Sequence, residues 1–121
     1  MVVLATDLIS AYLPPGPAVE VETGNNANGF YVRLAGGTQM CWHTFSITPS
    51  ASNTPTLGAW TFPIAFAAAP YVHVSVNSTV PGTTVTGWSS SGATTTAVNV
   101  YISRANTTAT SVIVFAIGSW I

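Results

Sequence analysis

From Asn25 to the C-terminus, apolar and polar residues alternate in short runs separated by clusters of Gly, Pro, Ser and Asn. That is the period of half-buried strands, not of helices. Phe30, Val32 and Leu34 fall on one face, with Tyr31 and Arg33 on the other, and Gly36-Gly37 reads as a two-residue hairpin turn. In 38–48, Met40, Trp42 and Thr44 oppose Cys41, His43, Phe45 and Ile47. A polar loop over 49–58 follows, then a strand over 60–66 that Pro63 marks as an edge or a bulge. After Pro70, Val72, Val74 and Val76 point inward, and Tyr71, His73, Ser75 and Asn77 outward. Residues 78–84 read as a turn and 85–89 as a short strand ending in a serine-rich loop. In 94–104, Val98, Val100 and Ile102 are the inward set. The last strand, 111–121, is apolar on both faces, with Val112, Val114 and Ala116 against Ile113, Phe115 and Ile117. Such a strand is central in a sandwich or lies at a subunit interface. The pattern predicts an all-β fold, an antiparallel β-sandwich of about seven strands over 25–121, with a short N-terminal arm.

Residues 1–24 differ. Leu4, Leu8, Ile9 and Tyr12 share one helical face, and Pro14-Pro15-Gly16-Pro17 cannot continue a helix. This reads as a docking arm, with Leu4, Leu8 and Tyr12 as its anchoring residues, followed by a stiff linker. A first strand folded onto the domain fits the pattern equally well. No positive region precedes the first apolar stretch, so no secretory signal is expected.

Charge sharpens this picture. Only 4% of the 121 residues are charged, against about 25% in an ordinary domain. They are Arg33, Arg104, Asp7, Glu20 and Glu22. Two arginines cannot form a basic stripe, which excludes nucleic-acid binding. The longest apolar runs, 64–69 and 112–117, have six residues each, so no membrane insertion is expected where a spanning helix needs about 20. Cys41 has no second cysteine for a disulfide. A surface with so little charge is weakly protected against association and fits burial in an assembly.

Little in the chain supports catalysis. The three acids all lie in 1–24, where Glu20 and Glu22 are expected to be solvated, and no nucleophile motif accompanies His43, His73 and the serines. The chain is expected not to be an enzyme, and no cofactor or metal site is expected. Cys41 is expected to be a buried small hydrophobe. Trp42, Trp60 and Trp120 read as packing residues whose indole N–H groups find partners. Arg104, at a strand end, is expected to be solvated. Trp88, with Asn77, Ser89 and Ser90, has the chemistry of a sugar site: an aromatic face for a pyranose, with amide and hydroxyl groups for its oxygens. Packing of Trp88 under a loop or against another subunit is the competing reading.

Three stretches carry a resemblance. They are Asn28-Gly29-Phe30-Tyr31-Val32-Arg33-Leu34 running through Gly37-Thr38-Gln39-Met40-Cys41-Trp42-His43; Trp60-Thr61-Phe62-Pro63-Ile64-Ala65-Phe66 leading to Ala69-Pro70-Tyr71-Val72; and Ala116-Ile117-Gly118-Ser119-Trp120. In order and spacing they resemble the C-terminal receptor-binding domain of tail-fibre proteins of tailed bacteriophages and prophages. Gly36 and Ser119 depart from the family pattern, which often has Asp and a basic residue there. About 24 residues precede the match instead of a long shaft, so a short spike, tail-tip knob or head fibre is expected in place of a long fibre.

The resemblance implies a knob similar to the H-type lectin fold, homotrimeric and displayed on a virion. On that basis Ile113, Phe115, Ile117 and Arg33 are the expected trimer interface, Arg33 pairing with an acid or carbonyl of a neighbouring subunit. The arm is expected to dock on other virion proteins. Loops 50–58, 77–93 and 104–110 are expected to carry specificity for a host-surface glycan. The rival expectation is a capsid head-fibre, decoration or baseplate component with a purely structural role.

Overall fold

The alternating segments pair into eight antiparallel strands among the described residues: β1 (Glu20–Asn26), β2 (Gly29–Leu34), β3 (Thr38–Ile47), β4 (Thr56–Thr61), β5 (Tyr71–Asn77), β6 (Val85–Ser91), β7 (Ala97–Arg104) and β8 (Thr110–Ser119). The computed structural model describes residues 20–77 and 85–121, with the backbone alone at Glu20 and 85–88. A five-stranded sheet runs β1-β2-β3-β8-β5 and a three-stranded sheet runs β4-β7-β6. The expected all-β antiparallel sandwich is what forms.

The core is the layer between the sheets. From the large sheet come Cys41, Ile47, Val74, Val112, Val114 and Ala116; from the small sheet, Trp60, Val98, Val100 and Ile102. Every second residue of β7 is buried from Val98 to Arg104, as strand geometry requires when one face is covered. The aperiodic segment after β4 plugs one end. Phe62 meets Trp60 and Phe66 edge to face, with ring centroids 5.0 and 5.1 Å apart, a favoured aromatic geometry.

Several boundaries differ from the sequence expectation. Residues 20–24, assigned to the arm and linker, open β1 and pair with β2, which adds a strand to the expected seven. Leu4, Leu8 and Tyr12 lie outside the described residues. β4 starts inside the expected loop 49–58 and stops before Pro63. Its Gly58 sits where a Cβ would meet the Ile47 side chain at 2.6 Å. The β2–β3 turn spans three residues, not two. The Gly37 N–H donates to Leu34 O at 3.0 Å, and Gly37 takes φ +96°, a value that glycine adopts freely.

The strands give the sandwich two distinct ends. The 35–37 turn, the plug over 62–70 and the C-terminus share one end, where Glu20 pairs with Leu34. The connections 48–55 and 105–109 lie at the other. β3 spans the distance with ten residues, about 30 Å.

Candidate functional site

The outer face of the five-stranded sheet carries rows of apolar residues. One row runs Phe30, Trp42, Phe115, His73 across four strands, and the next runs Val32, Met40, Ile117, Tyr71. Ile113 stands in a third row between Thr44 and Ser75. Phe30 is 50% exposed, Trp42 39%, Ile113 42% and Ile117 38%. The Phe30 and Trp42 rings stack at 5.9 Å. Trp42 is thus a surface residue and not a core one. Exposed apolar side chains running across neighbouring strands are the kind of surface that marks an interaction site.

Arg33 does not share this face with Ile113, Phe115 and Ile117. It lies on the buried side of the same sheet, and its donors are engaged within its own chain. Its guanidinium meets Glu22 at 3.0 Å, the Gln39 Oε1 at 2.9 Å and Ala65 O at 3.4 Å. It also lies over the Trp120 ring, 5.3 Å from the centroid. The acid sought on a neighbouring subunit is Glu22 of the same chain, so Glu22 is not simply solvated.

The fully buried Gln39 extends this clasp. Its amide donates to Ile64 O and Ala65 O, both at 3.2 Å. Trp120 closes it, its indole N–H donating to Leu34 O at 2.9 Å. The Tyr31 hydroxyl donates to Glu22 at 3.0 Å. That hydrogen bond to a carboxylate, with some desolvation, raises the phenol above its usual range. The three stretches that carry the resemblance therefore meet in one place, and that place is a structural fastening.

Cys41 is buried, as expected, and desolvation pushes its thiol from 9.0 up to about 11. The Trp60 indole N–H donates to Asn28 O at 2.8 Å. Arg104, expected in solvent, is instead buried and donates to the Thr110 hydroxyl. It falls in the inward alternation of β7, and its strand partner is Val85.

The outer face of the three-stranded sheet has a different chemistry. Leu57, Tyr101 and Ser89 form one row, and Ala59, Asn99 and Ser91 the next. Leu57 is 51% exposed, Ser89 and Ser91 are exposed, and Asn99 and Tyr101 are half-buried.

The four residues expected to form a sugar site lie on two strands, Asn77 on β5 and the other three on β6. Asn77 ends β5, and Asn77, Ser89 and Ser90 are all exposed. Ser89 pairs with outward Tyr101, while Trp88 pairs with buried Ile102 and Ser90 with buried Val100. The Trp88 side chain lies outside the described residues.

The loop end gathers two described loops, both uncharged. Some of their polar groups bond locally. Ser50 N–H donates to the Thr56 hydroxyl at 3.0 Å, Thr54 to Ser52 O at 3.2 Å, and Thr108 N–H to Asn106 Oδ1 at 3.1 Å. Among the described residues, no three His, Cys, Asp or Glu side chains gather as a metal-ligand set.

No protein-family model and no curated protein sequence matches the chain. Solved structures do match in shape. An N-truncated R1-type pyocin tail fiber aligns with TM-score 0.64 and 21% identity, covering 97% of this chain and 98% of that one. C-terminal pieces of the Pseudomonas aeruginosa R1 and R2 pyocin fibers align with TM-scores 0.65 and 0.64, at 21% and 20% identity. Each alignment covers 97% of this chain, which spans 32% and 30% of those fiber pieces. The eight-stranded sandwich therefore has the fold found in pyocin tail fibers.

Proposed function

We infer that the chain is the receptor-binding knob of a tail fibre or spike on a phage-like particle, acting by non-covalent binding and not by catalysis. The observation that carries this reading is the fold, shared over 97% of the chain with pyocin tail fibers. The apolar outer face of the five-stranded sheet supports a homotrimer. In it, Ile113, Phe115 and Ile117 of β8 lie toward the threefold axis and Phe30 and Trp42 complete the contact. Hydrophobic burial of such a face is the dominant drive for association.

The polarity of the sandwich supports the rest. The described chain begins at the 35–37 end, which faces the particle, and the N-terminal arm docks on other virion proteins. The uncharged loop end, about 30 Å away, faces the host surface. The receptor is a surface glycan, engaged weakly at each subunit and strongly by several subunits together.

Adsorption competition tests this. Host cells are incubated with purified, folded protein, and particles that still attach are counted. Dose-dependent blocking is the expected result. Failure of folded trimer to block would move the chain to a head-fibre, decoration or baseplate role.

A further inference from the structure

We propose that the outer face of the three-stranded sheet, centred on Tyr101, is a binding platform for an uncharged saccharide. This rests on the receptor-binding reading above and gives it a site and a ligand class.

Three observations meet there. The first is hydrogen-bonding capacity left open. Among the described residues, no side-chain hydrogen bond engages Asn99, Tyr101, Ser89 or Ser91. The sheet face offers an amide, a phenol and two aliphatic hydroxyls from neighbouring strands.

The second is an apolar strip beside those groups. Leu57 is 51% exposed and pairs directly with Tyr101. A saccharide ring has C–H faces and a polar edge, so it needs both kinds of surface within one footprint. Tyrosine is suited to this because its ring is apolar, its hydroxyl polar and its conformational freedom small. Strand spacing sets the platform at about 10 Å across three strands and about 7 Å along them. That is the footprint of a short saccharide.

The third is charge. No charged residue belongs to β4, β6 or β7 except Arg104, which is buried. The Glu22–Arg33 pair lies in the other sheet. Phosphate and carboxylate groups are recognised by arginine or lysine forks, and none is present on this face. A flat, neutral face gives weak single-site affinity, which matches a site used several times over on one particle.

The experiment is an NMR titration of the isotopically labelled full chain. One set of probes is neutral: glucose, galactose, mannose, rhamnose and N-acetylglucosamine. The acidic set is glucuronate and glucose 6-phosphate. At least one neutral sugar is expected to shift the signals of Leu57, Asn99, Tyr101 and Ser89, with an affinity that does not fall as salt is raised. Tyr101→Ala is expected to weaken that sugar on the order of tenfold, and Asn99→Ala, which keeps the ring, to weaken it less.

Binding of the acidic sugars alone would overturn the proposal. So would shifts confined to 48–55 and 105–109, or no response to any sugar. Attachment competition separates this from the broader reading. If wild-type protein blocks attachment and folded Tyr101→Ala blocks equally well, the platform is wrong and receptor binding stands. If wild-type protein does not block, the broader reading is wrong as well.

Discussion

The two outward faces of the sandwich are made the same way, from every second residue of paired strands, yet they differ in kind. Across the large sheet the outward residues include Phe30, Trp42, Phe115, Met40, Ile117 and Ile113. Across the small sheet they are Leu57, Tyr101, Ser89, Ala59, Asn99 and Ser91. Both sheets bury the same sort of inner face, dominated by valine. Core formation therefore asks nothing of either outer face, and what those faces carry reflects other demands. The apolar one suits contact between copies of the chain, where water is excluded. The mixed one suits a wet ligand that brings hydroxyls of its own.

The sharpest way to break this contrast is to put one charge on each face. Phe115→Asp places a carboxylate at the centre of the apolar rows, between Trp42 and His73. If copies associate through that face, the cost is about 3–5 kcal/mol per contact, a more than ~100-fold loss of association. Sedimentation should then show monomer, or the protein should become insoluble. Tyr101→Asp on the other face should leave the oligomer whole. An intact oligomer after Phe115→Asp would remove the large-sheet face from the assembly.

Much of this contrast is legible in the amino-acid pattern alone. The two-sided apolar pattern of 111–121 marks β8 as an inner strand of the large sheet, and the alternation in 38–48 separates Trp42 from Cys41. β1 is legible only as one of two equal readings of the N-terminal segment, because Glu20–Asn26 is an edge strand with one large apolar residue, Val21, which is 56% exposed. It is held by backbone pairing to β2, to which periodicity is blind. β4 is displaced from its expected place because Gly58 and Ala59 dilute its alternation, and the reason for Gly58 is a close approach of Ile47 that no local pattern announces. The burial of Arg104 is readable in principle, since it continues the series Val98, Val100, Ile102; its charge, which suggests solvent, masks its register. The Tyr101 platform has its signal in the polar alternates of the same strand.

The layer behind both faces can be probed by pH. Burial raises the Cys41 thiol from 9.0 to about 11. Between those values the unfolded chain releases a proton that the folded chain keeps. The stability this provides is full below pH 9 and is lost as pH rises through 11. The loss is about 3 kcal/mol. Tyr31, also raised, acts in the same direction. Urea midpoints of wild type should fall between pH 8 and 11 more than those of Cys41→Ala. Equal falls would mean that water reaches the inner layer and that the two faces are not backed by one dry core.

The smallest effect separates fastening from assembly within a single sheet. Arg33 and Phe115 belong to the same sheet but to opposite sides of it, so the contrast requires their substitutions to fail differently. Arg33→Ala removes hydrogen bonds to Glu22, Gln39 and Ala65 O and the contact with Trp120. Because the Glu22 pair is partly exposed, its ionic part contributes little. The larger loss is at buried Gln39, whose Oε1 is left without this donor. A cost of about 1–2 kcal/mol is expected, read as a lower urea midpoint at unchanged m. Association, measured on the folded variant, should stay at the wild-type value. If Arg33→Ala instead dissociates the oligomer while the urea midpoint holds, the buried side of β2 takes part in the contact between copies, and the division of labour between the two sides of the sheet is wrong.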